Sequence, residues 1–325
     1  MSKLATVYGG SGFVGRYIVR RLAKAGWRVR VAVRRPNEAI FVKPYGVVGQ
    51  VEPVLCNIRD DVSVRNAMDG AEIAINCVGT FDKAGLNSFD AVQHEGAERI
   101  ARIAAELGVE RLVHLSAIGA DVNSDTLYGQ SKGLGEEGVL QHFPNAMILR
   151  PSVVFGPEDA FFNRFASMSR FGPVLPVIGA QTKFQPVYVD DVAQAAMKGV
   201  DGATGIYELG GPDASTFKEL MLEMLTVIRR RRLVLNIPFF VGGIMGATFD
   251  MLHVLSGQLI QGPVTKDQVQ SLKSDNVVQD GAQTLETLGI QPTSMEAILP
   301  SYLWRFRPAG QYESMMESAK NLRSD

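Results

Sequence analysis

A glycine-rich turn after the first apolar run limits the possible folds of this chain more than any other feature. Residues 3–8 have the pattern of a short β-strand, and the next seven residues, Gly9–Gly15, follow the spacing GxxGxxG. Beyond the turn, Val14, Ile18 and Leu22 recur at helical spacing. A strand, a tight glycine turn and an amphipathic helix in this order predict the first unit of a parallel sheet, with backbone shaped to approach a phosphate group.

The first half of the chain continues to alternate between strand patterns and helix patterns. Helical patterns such as residues 97–107 separate the later candidate strands, which are residues 28–33, 51–55, 72–77, 111–116 and 146–150. Strands that alternate with helices form right-handed crossover units, and these give a parallel sheet covered on both faces. We therefore predict an α/β fold whose core is a Rossmann-type doubly wound parallel sheet.

The length of 325 residues is sufficient for two domains, with a site between them. After residue 150 the alternation stops and prolines punctuate the chain. We predict a dinucleotide-binding Rossmann domain over residues 1–150, to which later segments near 184–210 return. A smaller, mostly helical C-terminal domain over residues 151–325 would bind a substrate or a partner.

Each glycine of the turn has a mechanical role in a dinucleotide site. Gly9 permits the tight turn, Gly12 lets backbone approach a pyrophosphate, and Gly15 lets the helix pack closely on the strand. The phosphates would meet N–H groups at the positive end of the helix dipole. The predicted binding residues of this turn are Gly9, Gly10, Ser11, Gly12, Phe13, Val14, Gly15 and Arg16.

The end of the second strand indicates which dinucleotide binds. A site for NAD places an acidic side chain there, which accepts hydrogen bonds from the ribose 2′-hydroxyl. This chain has Arg34 and Arg35 instead, with Arg16 as a third basic candidate. Guanidinium groups bind a 2′-phosphate through charge-assisted hydrogen bonds, so NADP(H) is the predicted cofactor. The open alternative is that these arginines simply lie on a solvated loop.

Several longer segments resemble the extended and atypical branch of the short-chain dehydrogenase/reductase superfamily. They are YGGSGFVG at 8–15, NCVG at 76–79, YGQSK at 128–132, LRPSVVFGPED at 149–159 and VYVDDVA at 187–193. Within that branch, the most similar proteins are the nucleotide-binding accessory subunits of respiratory complex I, the NADH:ubiquinone oxidoreductase. The segments that carry this second resemblance are GRY at 15–17, FASMSRFGP at 165–173 and QPVYVDDV at 185–192.

The resemblance implies further cofactor-binding residues. It places Val78 and Gly79 beside the adenosine, and it places Asn57 and Ile58 near the adenine, where many relatives carry an aspartate in place of Asn57. It aligns Tyr128 and Lys132 with the YxxxK pair of the family. It also implies that a loop flanks the nicotinamide, formed by Pro151, Ser152 and Val153.

The YxxxK pair is the candidate catalytic element. On a helix, Tyr128 and Lys132 share a face, where an ammonium group could lower the pKa of the tyrosine and make it an acid or base. Enzymatic relatives also place a hydroxyl after the fifth strand, where this chain has Ala117, with Ser116 one position earlier. Ser116 is therefore a candidate for both catalysis and cofactor binding.

The remaining member of the catalytic group in those relatives is an asparagine, and here Gln93 or His94 occupies that region. Because the group is half present, we expect Tyr128 and Lys132 to hold the nicotinamide ribose without essential hydride transfer. The open alternative is an NAD(P)-dependent reductase, epimerase or dehydratase acting on a sugar nucleotide or a hydrophobic carbonyl compound.

Charge and cysteine content argue against other functions. Lys and Arg total 33 and Asp and Glu total 34, so no global field favours nucleic acid, and we predict no nucleic-acid partner. The four histidines are scattered and the two cysteines, Cys56 and Cys77, lie in candidate strands. We therefore predict no bound metal, and we interpret both cysteines as buried apolar residues.

A basic cluster precedes an almost uncharged segment in the second half. Arg229–Arg232 end a helical pattern, and Asp250 is the one formal charge in residues 233–265. We predict that these two segments contact an anionic membrane surface, while helix capping and core packing remain the alternative. No leader or spanning segment is visible, so we expect a peripheral location at the cytoplasmic face of the bacterial inner membrane.

These observations and the resemblance together predict an NADP(H)-binding accessory subunit of bacterial respiratory complex I. Other subunits of that complex would be its partners, and the nucleotide would be a structural cofactor.

Overall fold

A computed structural model of the chain describes residues 3–80, 85, 88–255, 265–308 and 310–312. The chain forms two units, each with its own hydrophobic core. The first unit contains residues 1–152, 189–210 and 278–292. The second contains residues 153–188, 211–277 and 293–325. That the second unit binds a substrate or a partner stays a prediction.

A seven-stranded sheet forms the centre of the first unit. In chain order its strands are β1 (Leu4–Tyr8), β2 (Arg28–Val33), β3 (Val51–Leu55), β4 (Ile73–Asn76), β5 (Arg111–Leu115), β6 (Met147–Pro151) and β11 (Gly205–Leu209). All neighbours pair in parallel, in the order β11-β6-β5-β4-β1-β2-β3. The predicted doubly wound parallel sheet is confirmed, and its order reverses between β1 and β4, the point where such sheets bind ligands.

The helices of the first unit are α1 (Phe13–Lys24), α2 (Asp61–Met68), α3 (Glu95–Glu106), α4 (Leu127–His142) and α6 (Val189–Val200). Helix α1 packs against α6, and α3 packs against α2 and α4. Apolar residues at helical spacing drive this packing: Ile18 and Leu22 of α1 and Ile100 and Ile103 of α3 are buried. A 3-10 segment, Pro36–Tyr45, follows β2, and a π-helical turn, Asp90–His94, precedes α3.

The two edge strands of this sheet differ in how they are protected. Strand β3 contains Pro53, which has no N–H to donate. Along β11, the N–H of Glu208 donates to the carbonyl of Gln283 at 2.8 Å, and the N–H of Gln279 donates to the Glu208 carboxylate at 2.9 Å. Residues 278–292 therefore return to the first unit along β11.

The second unit is mostly helical, as predicted. Its helices are α5 (Phe162–Met168), α7 (Phe217–Val227), α8 (Phe239–Leu255), α9 (Lys266–Ser271) and α10 (Met295–Leu303). Short strand pairs join them: β7 (Val154–Phe155) with β10 (Val187–Tyr188), β9 (Lys183–Phe184) with β12 (Ser215–Thr216), and β8 (Val174–Ile178) with β13 (Leu233–Ile237). Aromatic rings dominate its core, where Phe161 stacks on Phe217 at 5.5 Å between ring centroids.

The described part of the nearly uncharged segment 233–265 forms β13 and α8, while residues 256–264 lie outside the described residues. Within the residues that the structure describes, no helix has both the length and the apolar character needed to cross a bilayer.

Candidate functional site

A cavity of about 230 Å³ lies where β1, β2, β3 and β4 end, at the reversal of the strand order. The glycine turn forms one wall, and residues that follow the other three strands complete it. The lining residues are Gly9, Ser11, Gly12, Ala32, Val33, Arg34, Cys56, Asn57, Ile58, Arg59, Cys77, Val78, Gly79, Thr80 and Val92. Ligands of doubly wound folds bind at this place, beyond the carboxyl ends of the strands.

The glycine turn allows its backbone to lie close to a ligand and to helix α1. Gly9 has φ 72°, which favours glycine, and a Cβ on Gly15 would overlap the carbonyl oxygen of Gly9. Gly12 caps α1 without a side-chain acceptor, and no acidic residue lies in the first turn of α1. The positive end of the helix dipole therefore faces the cavity wall unneutralised, which fits the phosphates of a dinucleotide.

The three predicted arginines have different surroundings. Arg34 lines the cavity. Arg35 donates from Nη1 to the Glu38 carboxylate at 3.0 Å, and both side chains are exposed. Arg16 donates to the carbonyls of Ser11 and Gly12, each at 3.2 Å. Among the described residues that line the cavity none is acidic, so these residues offer no carboxylate to a ribose 2′-hydroxyl.

Arg59 is a cavity residue that the sequence reasoning missed. Its N–H and its Nε both donate to Oδ1 of Asn57, at 3.2 and 3.3 Å. Asn57 therefore turns a second guanidinium towards the wall formed after β3. The signal that could have found it is its place two residues beyond Asn57, at the carboxyl end of a strand in the nucleotide-binding half.

Asn76 shapes the wall formed after β4. Its Oδ1 accepts from the N–H of Val78 at 3.0 Å, which fixes the turn that carries Val78 and Gly79 into the cavity lining. Its Nδ2 lies 3.1 Å from Nδ1 of His114. Burial lowers the pKa of His114 to about 3, so the ring is neutral. An amide donor at Nδ1 leaves the ring proton on Nε2, which has no hydrogen-bond partner within the described structure.

Tyr128 and Lys132 are one turn apart on α4, as their spacing predicted. The buried Lys132 donates from Nζ to the carbonyl of Leu115 at 3.1 Å, and burial lowers its pKa to about 8. Burial raises the pKa of Tyr128 to about 12. Desolvation of the phenol accounts for this raised pKa, and an acid–base role of the Tyr128 and Lys132 pair stays a prediction.

The other candidate catalytic positions lie nearby in the first unit. Ser116 is buried after β5, and its Oγ has no hydrogen-bond partner within the described residues. Of the two residues in the region of the expected asparagine, Gln93 is buried: its Nε2 donates to the carbonyl of Thr80 at 2.6 Å, and its Oε1 accepts from Oγ of Ser131 at 3.2 Å. Gln93 thus connects α4 to the cavity wall at Thr80.

The residues predicted to flank the nicotinamide lie outside the cavity lining. Pro151 ends β6, and the N–H of the buried Ser152 donates to the carbonyl of Leu209 at 2.9 Å. Val153 begins the second unit. These positions, together with Tyr128 and Lys132, remain predicted cofactor contacts.

Comparison with known proteins agrees with this fold and motif pattern. The chain belongs to the NAD dependent epimerase/dehydratase family, whose model matches residues 5–210. A mitochondrial relative, NADH dehydrogenase (ubiquinone) 1 alpha subcomplex subunit 9 of Arabidopsis thaliana, is 35% identical over 316 residues, covering 94% of this chain and 79% of that protein. The mitochondrial NADH-ubiquinone oxidoreductase 40 kDa subunit of Neurospora crassa is 31% identical over 324 residues, covering 99% and 84%. The predicted resemblance to the extended dehydrogenases and to complex I subunits is confirmed.

An enzyme is also among the relatives. Ceramide reductase of Caulobacter vibrioides is 32% identical over 190 residues, which is 58% of each chain. Two solved structures share the fold. UDP-glucose 4-epimerase of Thermus thermophilus, in complex with NAD, has a TM-score of 0.66 at 18% identity and covers 94% of this chain and 99% of its own. A dTDP-glucose 4,6-dehydratase of Streptomyces venezuelae has a TM-score of 0.69 at 19% identity and covers 96% and 99%.

Proposed function

We propose that this chain is an NADP(H)-binding accessory subunit of a bacterial respiratory complex I, in which the nucleotide is a structural cofactor. The observation that carries the proposal is similarity to complex I subunits over nearly the full chain. The other subunits of the complex would then be its partners. At about 1,000 times its Kd, a ligand that binds only the folded chain adds about 4 kcal/mol to the free energy of unfolding, a large share of an ordinary total.

The preference for NADP(H) rests on the charges at the cavity. Arg34 and Arg59 supply guanidinium groups, and the described lining residues include no carboxylate. A 2′-phosphate is a dianion that binds guanidinium groups through charge-assisted hydrogen bonds. The glycine turn would hold the pyrophosphate, and residues 76–80 would border the adenosine. Lys132 would donate to the nicotinamide ribose.

The proposed structural role of the nucleotide rests on the incomplete catalytic group. The pKa of Tyr128 is raised to about 12, far from the neutral range in which a general acid or base works best. Ala117 stands where a catalytic hydroxyl is expected, and Oγ of Ser116 is buried one position earlier. Binding of a nucleotide needs none of these proton transfers.

We also propose that the second unit contacts an anionic membrane surface, at the cytoplasmic face of the inner membrane. Burial and the charges of Arg232 and Arg170 lower the pKa of Arg230, so like charges lie close together in and beside this cluster. The paired strands β8 and β13 place Val174 opposite Leu233, and both are exposed. Other apolar side chains of the second unit are exposed as well: Phe171, Leu235, Phe240 and Ile244. Cationic and apolar groups side by side match an anionic bilayer surface.

The membrane proposal is tested with vesicles. The full chain should sediment with vesicles of phosphatidylglycerol and phosphatidylcholine, and less with vesicles of phosphatidylcholine alone. Replacing Arg230 and Arg231 by glutamine should weaken sedimentation, since each arginine near an anionic surface contributes about 1 kcal/mol. Equal binding to both kinds of vesicle would refute the electrostatic part of the proposal.

The assembly is tested by purification from native membranes. The chain should co-purify with the other subunits of the NADH:ubiquinone oxidoreductase, and extraction of the purified protein should release NADP(H). Recovery of the chain only as a free protein would refute the subunit role, and release of NAD(H) alone would refute the cofactor assignment.

Arg34 and Arg35 provide a matched pair for the cofactor site. Arg34→Ala should weaken NADPH binding about ten- to a hundredfold because it removes a charge from the cavity wall. Arg35→Ala removes the same charge from a side chain paired with Glu38 outside the cavity lining, and it should weaken binding much less. Equal effects of both substitutions in a binding titration would contradict the assignment of Arg34.

An NAD(P)-dependent reductase is the second candidate, favoured by the similarity to ceramide reductase and by the retained Tyr128 and Lys132. A reductase would transfer hydride to a sugar nucleotide or a hydrophobic carbonyl compound. Tyr128→Phe separates the two candidates, because it removes the phenol proton and keeps the ring. NADH:ubiquinone turnover of the complex should be unchanged in this variant, whereas a selective loss of carbonyl reduction would establish the enzyme.

A further inference from the structure

Arg16 is held against the glycine turn by its own hydrogen bonds. Its Nε donates to the carbonyl of Gly12 and its Nη2 donates to the carbonyl of Ser11, each at 3.2 Å. Ser11 and Gly12 both line the cavity, so these bonds keep the guanidinium beside the cavity wall. A flexible arginine makes such bonds transiently in water, and a second contact is needed to keep it there.

That second contact is the ring of Phe41. The guanidinium carbon of Arg16 lies 4.8 Å from the ring centroid, a cation–π distance. Phe41 is 42% exposed, so part of its ring surface is open to a side chain at the protein surface. Its neighbours Ala39 and Val42 are buried, so the backbone of the Pro36–Tyr45 segment is anchored and the ring has a defined place.

The same segment contacts a second arginine of the predicted set. Its Glu38 accepts from Arg35 at 3.0 Å, while Arg34, one residue earlier, lines the cavity. The segment therefore begins just after β2, where the proposed site distinguishes NADP(H) from NAD(H). Its Phe41 contacts Arg16, which follows the glycine turn. Residues of this segment therefore contact two of the three predicted arginines, Arg16 and Arg35.

We propose that Phe41 is a positioning residue for Arg16, and that through it the Pro36–Tyr45 segment holds Arg16 as a second cation for the 2′-phosphate of NADP(H), beside Arg34. The inference rests on the proposed NADP(H) site. Stacking on an aromatic ring restricts the planar guanidinium before the ligand arrives, so less freedom is lost on binding. Phe41 itself contributes no charge and does not contact the cofactor. It affects cofactor binding by orienting Arg16.

The test is the ratio of NADPH affinity to NADH affinity in the full-length chain, measured by titration after the bound nucleotide has been removed. Phe41→Ala should raise the Kd for NADPH about two- to fivefold and leave the Kd for NADH unchanged. Phe41→Tyr keeps an aromatic face and should restore the wild-type ratio. Ile40→Ala is the matched control, because Ile40 is 54% exposed on the same segment and should leave both affinities unchanged.

A double-mutant cycle tests whether Phe41 acts through Arg16. The chain with both Arg16→Ala and Phe41→Ala should have the same affinity ratio as Arg16→Ala alone, since the ring then has nothing to position. In a parallel cycle, Arg34→Ala and Phe41→Ala should have additive effects. Additivity in the Arg16 cycle, or equal weakening of NADPH and NADH by Phe41→Ala, would overturn the inference.

Failure of the inference and failure of the proposed site give different results. If the wild-type chain prefers NADPH and Arg34→Ala abolishes that preference, but Phe41→Ala leaves the ratio unchanged, only the role of Phe41 is refuted. If the wild-type chain shows no preference for NADPH, the NADP(H) site is refuted and the role of Phe41 with it.

Discussion

Gly15 is the residue at which the nucleotide site tolerates the least change. A Cβ there would overlap backbone atoms of Gly9 and Gly10, which cannot move away as a flexible side chain would. The position therefore couples two properties, the packing of α1 on β1 and the shape of the cavity wall.

Gly15→Ala should lower the free energy of unfolding by about 1–3 kcal/mol and reduce nucleotide retention, because the glycine turn must shift away from the added methyl group. Thermal unfolding and the amount of nucleotide per chain after gel filtration measure the two effects. Gly172→Ala is the control, because a Cβ at Gly172 meets no atom within 4 Å. Wild-type stability and retention in Gly15→Ala would contradict this account of the turn.

His114 predicts a pH dependence of stability. Its pKa in the folded chain is about 3, whereas the ordinary value is 6.5, so the unfolded chain binds a proton first as the pH falls. The stability that the neutral ring provides is therefore complete above pH 6.5 and decreases below it. This single residue should lower the free energy of unfolding by about 1 kcal/mol between pH 7.5 and 5.5.

Urea unfolding at the two pH values checks the histidine prediction. His114→Gln keeps an acceptor for the amide of Asn76 but cannot titrate, so its free energy of unfolding should depend less on pH than that of the wild-type chain. An unchanged pH dependence in this variant would show that other groups are responsible.

The basic side chains show which site properties the sequence can predict. A basic residue at the end of β2 can be predicted from the sequence, because its position depends only on where that strand ends. The partners of Arg16 and Arg35 depend on the 3-10 segment that follows, which has no clear periodic pattern. Arg59 was missed for a similar reason, since the hydrogen bonds that it donates to Oδ1 of Asn57 arise from a local loop geometry.

At the scale of elements, the end of α7 has an unusual residue. The N–H of Arg229 donates to the carbonyl of Thr226, and the N–H of Arg230 donates to that of Leu225, both at 3.0 Å. This hydrogen-bond pattern ends many helices with a glycine in the left-handed region. Here Arg229 has φ 53°, the one non-glycine residue with positive φ in the described chain. The basic cluster Arg229–Arg232 therefore includes one residue, Arg229, whose backbone conformation is strained.

Arg229→Gly should raise the free energy of unfolding by about 0.5–1 kcal/mol, because glycine adopts this conformation without a clash of its Cβ. Arg231→Gly removes the same charge at a position with ordinary φ and should lower stability. Thermal unfolding of the two variants gives the comparison. If both variants are less stable than the wild-type chain, strain at Arg229 is not significant.

The strands of the first unit also show which elements a sequence pattern can predict and which it cannot. Strands β1–β6 lie within one residue of their predicted bounds, since each is a short apolar run between turn or helix signals. Strand β11 has the sequence GIYEL, whose mixture of polar and apolar residues resembles no buried strand, and pairing with β6 determines its conformation. Residues 278–292 return to the first unit through hydrogen bonds to β11 and through the buried side chains of Leu285 and Ile290, which form no regular helix or strand pattern.

At the scale of the whole molecule, every described residue that lines the cavity belongs to the first unit. Added NADPH should therefore slow amide hydrogen exchange in residues 9–16, 56–59 and 76–80, because binding suppresses the local opening of these segments. Exchange in α7 and α10 of the second unit should change far less. Hydrogen–deuterium exchange with and without NADPH measures both, and equal protection of the two units would contradict a nucleotide site held mainly by the first.

The two edges of the parallel sheet affect whether copies of the newly made chain aggregate. An edge with open N–H and C=O groups recruits strands from other copies, which leads to aggregation. Pro53 removes a donor from the β3 edge, and the bond from Glu208 to Gln283 occupies part of the β11 edge. The sheet therefore resists growth by strand addition at both ends, and a newly synthesised chain can stay dispersed until assembly. Loss of either protection should appear first as poor recovery of soluble chain, before any loss of nucleotide binding.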